Sequence, residues 1–298
     1  MIELDFARPS SAPAILPFPP PGTKRREFRR KPVPAQRTIT DRVGRSRLDY
    51  LSAAERGWLE QDLERAAEVQ RQLLPDTNMH FEGWEISYRY QAFGPLSGDY
   101  CDIIPGGEGE KELLLVLGDV SGKGIAASLL MAQLHAIFRT LGSTHLGVQE
   151  LVERANEILC PHAVSCSFVT LVCVRATSEG DVEICNAGHC LPLLVGPAGV
   201  TPIEAGGLPL GMFPNVHCEV TRKRLAKGES LFLYTDGLTE ARNASDGEYG
   251  AERLHEKVEE GSALPPQALI ETCIESVAAF RAGVPCSDDV TIMAARYA

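Results

Sequence analysis

The sequence predicts an α+β protein of packed helical and sheet layers, on two observations. Apolar stretches of strand length come in runs joined by short turns, and stretches with helical periodicity come in separate blocks. Strand and helix do not alternate regularly, so a largely antiparallel arrangement is favoured over repeated βαβ units.

The elements follow in chain order. Residues 1–40 are rich in Pro, Ser and Arg and show no periodicity. Ordering backbone costs on the order of 1 kcal/mol per residue. This segment has little apolar surface to offset that cost, so it reads as disordered. Over 48–74, Leu48, Leu51, Trp58, Leu59, Leu63, Ala66, Val69 and Leu73 recur at helical spacing, and Pro75 stops the pattern. The stripe is narrow and flanked by Glu and Arg, which suits pairing with a second copy. Docking on its own domain is the alternative. Strands are expected over 84–93, 111–120, 167–176, 181–188, 191–196, 217–225, 229–237 and 289–297. Helices are expected over 124–141, near 147–160 and within 249–282.

Composition narrows the class. The chain has 298 residues, 44% of them hydrophobic, enough for a sizeable core. No apolar run approaches the roughly 18 residues that span a bilayer. The first residues lack the basic-then-apolar order of a signal peptide. Nine cysteines are scattered without a disulfide-like frame, which points to a reducing cytosol and a cytoplasmic protein.

The formal net charge is -11. Residues 1–47 hold eleven Lys/Arg and four Asp/Glu, or +7, and the remainder holds eighteen and thirty-six, or -18. The basic stretch KRREFRRK at 24–31 reads as a solvated tail, and an acidic main domain makes nucleic-acid binding an unlikely role.

The stretch LGDVSGKGIAA at 117–127 poses the functional question. A Walker-type phosphate loop needs Gly, four residues, then Gly-Lys-Ser/Thr. Gly118 and Gly122 are too close for that, and Gly124 stands where the hydroxyl residue belongs. Asp119 is the alternative, at the point where an apolar strand turns through glycines into a helix. Other acids recur at such junctions: Asp99 in SGDY, Asp236 in LYTDG, and Asp288 and Asp289 in SDDVTIM. Clustered carboxylates repel one another unless protons or cations neutralise them. Ligands that are all oxygen suit Mg2+ or Mn2+.

GDVSGKG, LYTDGLTEARN and SDDVTIM together resemble the PPM family, the metal-dependent 2C-type serine/threonine phosphatases, in its bacterial stage II sporulation protein E branch. QRQLLP, SGDYCD, NAGHCLPLL and GLPLGM extend the resemblance over about residues 66–297. It implies an α-β-β-α sandwich over 79–298; the helical pattern before it makes 46–78 a linker or regulatory helix, and the unpatterned stretch over 1–45 reads as a disordered tail. The resemblance also implies two Mn2+ or Mg2+ ions, with Asp119 as the bridging ligand, a carbonyl from Val120, and Asp99, Asp236 and Asp288 as further acids. Asp289 is the other half of its pair; many relatives have Asn there, which favours Asp288. Ser97 replaces a Gly common in relatives, at a position that holds no metal.

The implied chemistry is hydrolysis of phosphoserine or phosphothreonine by metal-activated water, with no protein nucleophile. The implied substrate is a STAS-type anti-sigma-factor antagonist in a partner-switching pathway. A cysteine phosphatase is excluded, because no Arg stands at the required distance from His189-Cys190. Zinc ligand spacing is also missing. His189 reads as packing, Lys123 as a solvated lysine at a helix start, and the 207–211 loop as flexible. The alternative function is a catalytically silent phosphatase fold that only binds a partner; the complete set of acids argues for the enzyme.

Overall fold

Sheets form where apolar runs are flanked by turn residues, and both faces of the central strands are buried. The computed structural model describes residues 52–106, 111–144, 146–161, 167–204 and 206–298. The expected tail, Leu48 and Leu51 lie outside them. The elements are α1 (Ala53–Gln72), β1 (Asn78–Phe81), β2 (Trp84–Gln91), β3 (Tyr100–Pro105), β4 (Glu112–Val120), α2 (Ile125–Gly142), α3 (Val148–Leu159), β5 (Val169–Thr177) and β6 (Asp181–Ala187). They continue as β7 (Leu193–Gly196), β8 (Gly199–Pro202), β9 (Val220–Arg224), β10 (Ser230–Tyr234), α4 (Asp236–Thr239), α5 (Gly250–Glu260), α6 (Pro266–Arg281) and β11 (Val290–Tyr297).

Two antiparallel sheets result. One has the order β1-β2-β11-β10-β7-β8, the other β3-β4-β5-β6-β9. Three apolar layers hold them. Leu115, Leu117, Val172 and Val174 meet Ile86, Leu233 and Met293 between the sheets. Met131, Leu134, Phe138 and Leu151 of α2 and α3 cover the outer face of the five-stranded sheet. Leu254, Leu269 and Cys273 of α5 and α6 cover the other. This is the expected α-β-β-α sandwich. β4 reads as an unbroken apolar run because successive side chains enter different layers, both dry.

Three short strands escape the sequence pattern. β1 and β8 have four residues each, and β3 carries Asp102 inside a buried run. That carboxylate is balanced by Arg139 of α2, which donates to both oxygens at 2.6 and 2.9 Å. Strand character also stops before Asp236, which opens α4 instead of closing β10.

Two expectations change. α2 is long and apolar enough to cross a bilayer by length and mean hydropathy. It is a core helix nonetheless, with Ala127, Met131, Leu134 and Phe138 buried. The cysteines do contain a disulfide: Cys185 and Cys218 are bonded, with Cα atoms 6.0 Å apart. The cause is register. Cys185 pairs with Val220 across β6 and β9, which brings Cys218, two residues earlier, beside it. Cys101, Cys173 and Cys273 are small buried core residues as expected.

Candidate active site

The acids meet where the space between the two sheets opens at one end. β4 delivers Asp119, whose cross-strand partner is Thr170 of β5. The turn that follows uses Gly122 and Gly124 at φ 97° and 73° to swing the chain into α2. Asp236 starts α4, and its neighbour Gly237 lies against the chain entering β11. A Cβ at Gly237 would fall 2.0 Å from the Asp289 carbonyl oxygen and 3.3 Å from the Asp288 Cβ. Only glycine permits this approach, which sets Asp236 beside Asp288.

The electrostatics follow from this approach. The Asp119 carboxyl is pushed up to about 7, first by burial and then by the charges of Asp236, Asp288 and Asp289. Asp236 is raised by burial and by Asp288. Lys123 lies in the same cluster, its Nζ 2.8 Å from Asp288 Oδ2. It also donates to the Ser287 carbonyl at 2.7 Å and sits 5.4 Å from the Phe93 ring centroid. The solvated lysine expected from sequence is therefore a charge partner of the acids.

Asp99 is wholly buried. Its Oδ2 accepts the Thr291 hydroxyl at 2.5 Å and the Thr235 hydroxyl at 3.1 Å. Thr291 lies in β11 of the opposite sheet and Thr235 directly after β10, so these bonds close the space between the sheets. Burial, then the Asp119 charge, raises the Asp99 carboxyl well above the usual carboxylate range. Asp289 is bonded to the neighbouring 93–98 loop. Its Oδ1 accepts the Phe93 N–H at 2.7 Å and its Oδ2 the Gly98 N–H at 3.0 Å. Val120 is buried directly behind Asp119.

Sequence reasoning missed the supports. Gln70 of α1 donates to the Ser97 carbonyl at 2.8 Å and accepts the Ser97 N–H at 3.0 Å. Thr235 and Thr291 stand within two residues of Asp236 and Asp289, but a threonine at or beside a strand carries no signal of its own. His189 is buried, and its Nδ1 lies 2.9 Å from the Thr170 hydroxyl. Burial pushes its imidazole down to about 4, so it is neutral at pH 7. The packing role expected for it thus extends to holding the residue opposite Asp119.

The donor set fits hard divalent cations. It is all oxygen, half-buried and short of positive charge, and an ammonium already occupies part of it. Among the described residues, no three His, Cys, Asp or Glu side chains close tightly enough around one point to hold an ion as the cluster stands.

The sequence model of the family "Stage II sporulation protein E (SpoIIE)" matches residues 109–298. Protein IcfG of Synechocystis sp. (strain ATCC 27184 / PCC 6803 / Kazusa) is 28% identical over 224 residues, covering 65% of this chain and 35% of that protein. Phosphoserine phosphatase RsbU of Bacillus subtilis (strain 168) is 23% identical over 241 residues, covering 80% and 70%. The solved SiaA-PP2C domain of Pseudomonas aeruginosa superposes with a TM-score of 0.70 at 18% identity, over 83% of this chain and 99% of that one. The chain thus spans about a third of the cyanobacterial relative.

Proposed function

Because the chain belongs to the SpoIIE family, we propose that it is a metal-dependent protein serine/threonine phosphatase. The observation that carries this is the convergence of Asp119, Asp236 and Asp288 in one half-buried cluster, where burial and the neighbouring charges raise the carboxyls of Asp119 and Asp236. A purely structural cluster of that kind would cost stability with nothing gained.

Asp119, the Val120 carbonyl, Asp236 and Asp288 would hold two Mn2+ or Mg2+ ions, with Asp99 behind them. When bound, the ions lower the pKa of water toward about 7 and draw charge from the phosphoryl oxygens. The chain's own residues do the positioning. Thr235 and Thr291 fix the Asp99 carboxylate. Asp289 ties down the 93–98 loop, so it supports the site and Asp288 faces it. Lys123 is free to leave Asp288 when metal neutralises that acid, and its ammonium then stands at the mouth to meet a phosphate.

In our reading, 79–298 is the phosphatase domain and the 46–78 segment is a regulatory helix. Trp58 and Val69, 68% and 60% exposed on α1, support homodimerisation through the 48–74 helix. The substrate is a STAS-type antagonist phosphorylated on serine or threonine, within cytoplasmic partner switching. The test is hydrolysis of p-nitrophenyl phosphate with Mn2+, with Mg2+ and with EDTA, for wild type and Asp119→Asn. Metal-dependent turnover that the substitution abolishes supports the reading. Equal turnover in EDTA refutes it.

A further inference from the structure

We propose that the apolar rim at the site end of the five-stranded sheet is the docking surface for a folded phosphoprotein substrate that carries an apolar face beside its phosphorylated residue. This rests on the phosphatase reading above. Large exposed apolar side chains are unevenly spread. Among the described residues, one group lies on α1; of the others, Phe93 lies against Lys123, Ile125 and Leu129 are in the first turns of α2 just after it, and Leu208, Met212 and Phe213 precede β9.

Two elements build the rim. On α2, Ile125 and Leu129 are 52% and 66% exposed, one turn apart, opposite the face that buries Ala127, Met131 and Leu134. The second is the segment before β9. Its Leu210 exchanges backbone hydrogen bonds with Val169 at 2.9 and 2.8 Å. Val169 is the cross-strand partner of Val120, so this segment lies two strands over from the Asp119 end of β4, across β5. It presents Leu208, Met212 and Phe213 to solvent.

The segment is held in that shape from below. Asn156 of α3, itself buried, accepts the Gly211 N–H at 2.8 Å and donates to the Phe213 carbonyl at 3.0 Å. The Cys218–Cys185 bond anchors its far end. The loop read as flexible from sequence is therefore tied down at Leu210, Gly211 and Phe213, with the side chains of Leu208, Met212 and Phe213 exposed. Such preorganisation lowers the entropic cost of binding a partner.

The rim is too broad for a small phosphate ester. Leu129 lies about 6 Å further along α2 than Ile125, out of reach of a molecule seated on the acids. Charge also points to apolar contact. Residues 48–298 carry a formal -18, which repels a phosphoprotein at long range. Affinity must then come from buried apolar area close to the site.

The test uses the full chain with Mn2+, wild type against the double variant Leu129→Gln/Met212→Gln. Substrates are p-nitrophenyl phosphate and a STAS-domain protein phosphorylated on serine. The expected result is a drop of about tenfold or more in the ratio of kcat/KM for phosphoprotein to kcat/KM for the small ester, through KM. An unchanged ratio overturns the docking surface and leaves the phosphatase reading intact. So does wild-type enzyme that hydrolyses the small ester only. A wild-type dimer that the variant converts to monomer assigns the rim to a second copy and also overturns it. Failure of the wild type on both substrates overturns the phosphatase reading, and this proposal with it.

Discussion

Asp289 accepts the backbone N–H of Gly98 at 3.0 Å, across 191 residues of sequence. Its neighbour Asp288 instead meets Lys123. The two adjacent acids have separate tasks, one holding the 93–98 loop and one facing the cluster. Asp289→Ala removes two charge-assisted hydrogen bonds and should lower stability by about 1–3 kcal/mol. Asp288→Ala should leave the metal-free melting temperature unchanged or raised, and should weaken Mn2+ binding. Thermal unfolding with and without Mn2+ separates the two. Equal losses of stability would contradict the division.

Gly237 allows Asp236 to sit beside Asp288. Gly237→Ala places a methyl group 2.0 Å from the Asp289 carbonyl oxygen. The chain must shift, at a cost of about 3 kcal/mol, and the two acids separate. Activity on p-nitrophenyl phosphate should fall at least about 100-fold, a barrier increase of about 2.7 kcal/mol. Near-wild-type turnover would show that the close approach is not needed.

The raised Asp119 carboxyl sets a pH dependence. Its ordinary value is about 3.9, and here it stands at about 7. The protonated form therefore stabilises the metal-free fold. That contribution is full below about pH 4 and is lost as pH rises through about 7. A divalent cation competes with the proton and offsets the repulsion once the acids ionise. The rise in melting temperature caused by Mn2+ should be larger at pH 8 than at pH 5.5. A larger rise at pH 5.5 would contradict the assignment.

Gln70 links α1 to the SGD turn through both polar atoms of its amide. The Ser97 carbonyl needs a donor, so Gln70→Glu cannot replace it. Gln70→Glu and Gln70→Ala should both lower stability by about 1–3 kcal/mol. Both should also reduce kcat by displacing the turn that carries Asp99. Circular dichroism melts and steady-state kinetics check this. A Glu variant that behaves as wild type would show the link to be incidental.

The sandwich was legible because its strands are unbroken apolar runs and its helices keep their period. β4, β5 and β11 lie within two residues of their expected bounds. Asp119, Asp236 and Asp288 were legible because each interrupts such a run at a turn. The supports were not. Thr291 reaches Asp99 across 192 residues, and Gln70 reaches Ser97 across 27. Long-range hydrogen bonds leave no local periodicity. The Cys185–Cys218 bond was hidden for the same reason, since it depends on which strands pair. β3 was read only at Ile103 and Ile104, because the charge of Asp102 interrupts its pattern and Arg139, 37 residues later, restores the balance.

The acid cluster is proposed as a two-ion site. Its most direct test is titration calorimetry of Mn2+ into wild type, Asp119→Asn and Asp236→Asn at pH 8. Two ions per wild-type chain and weakened or lost binding in each variant are expected. Wild-type protein that binds no Mn2+, or variants that bind two ions as tightly as wild type, would contradict it.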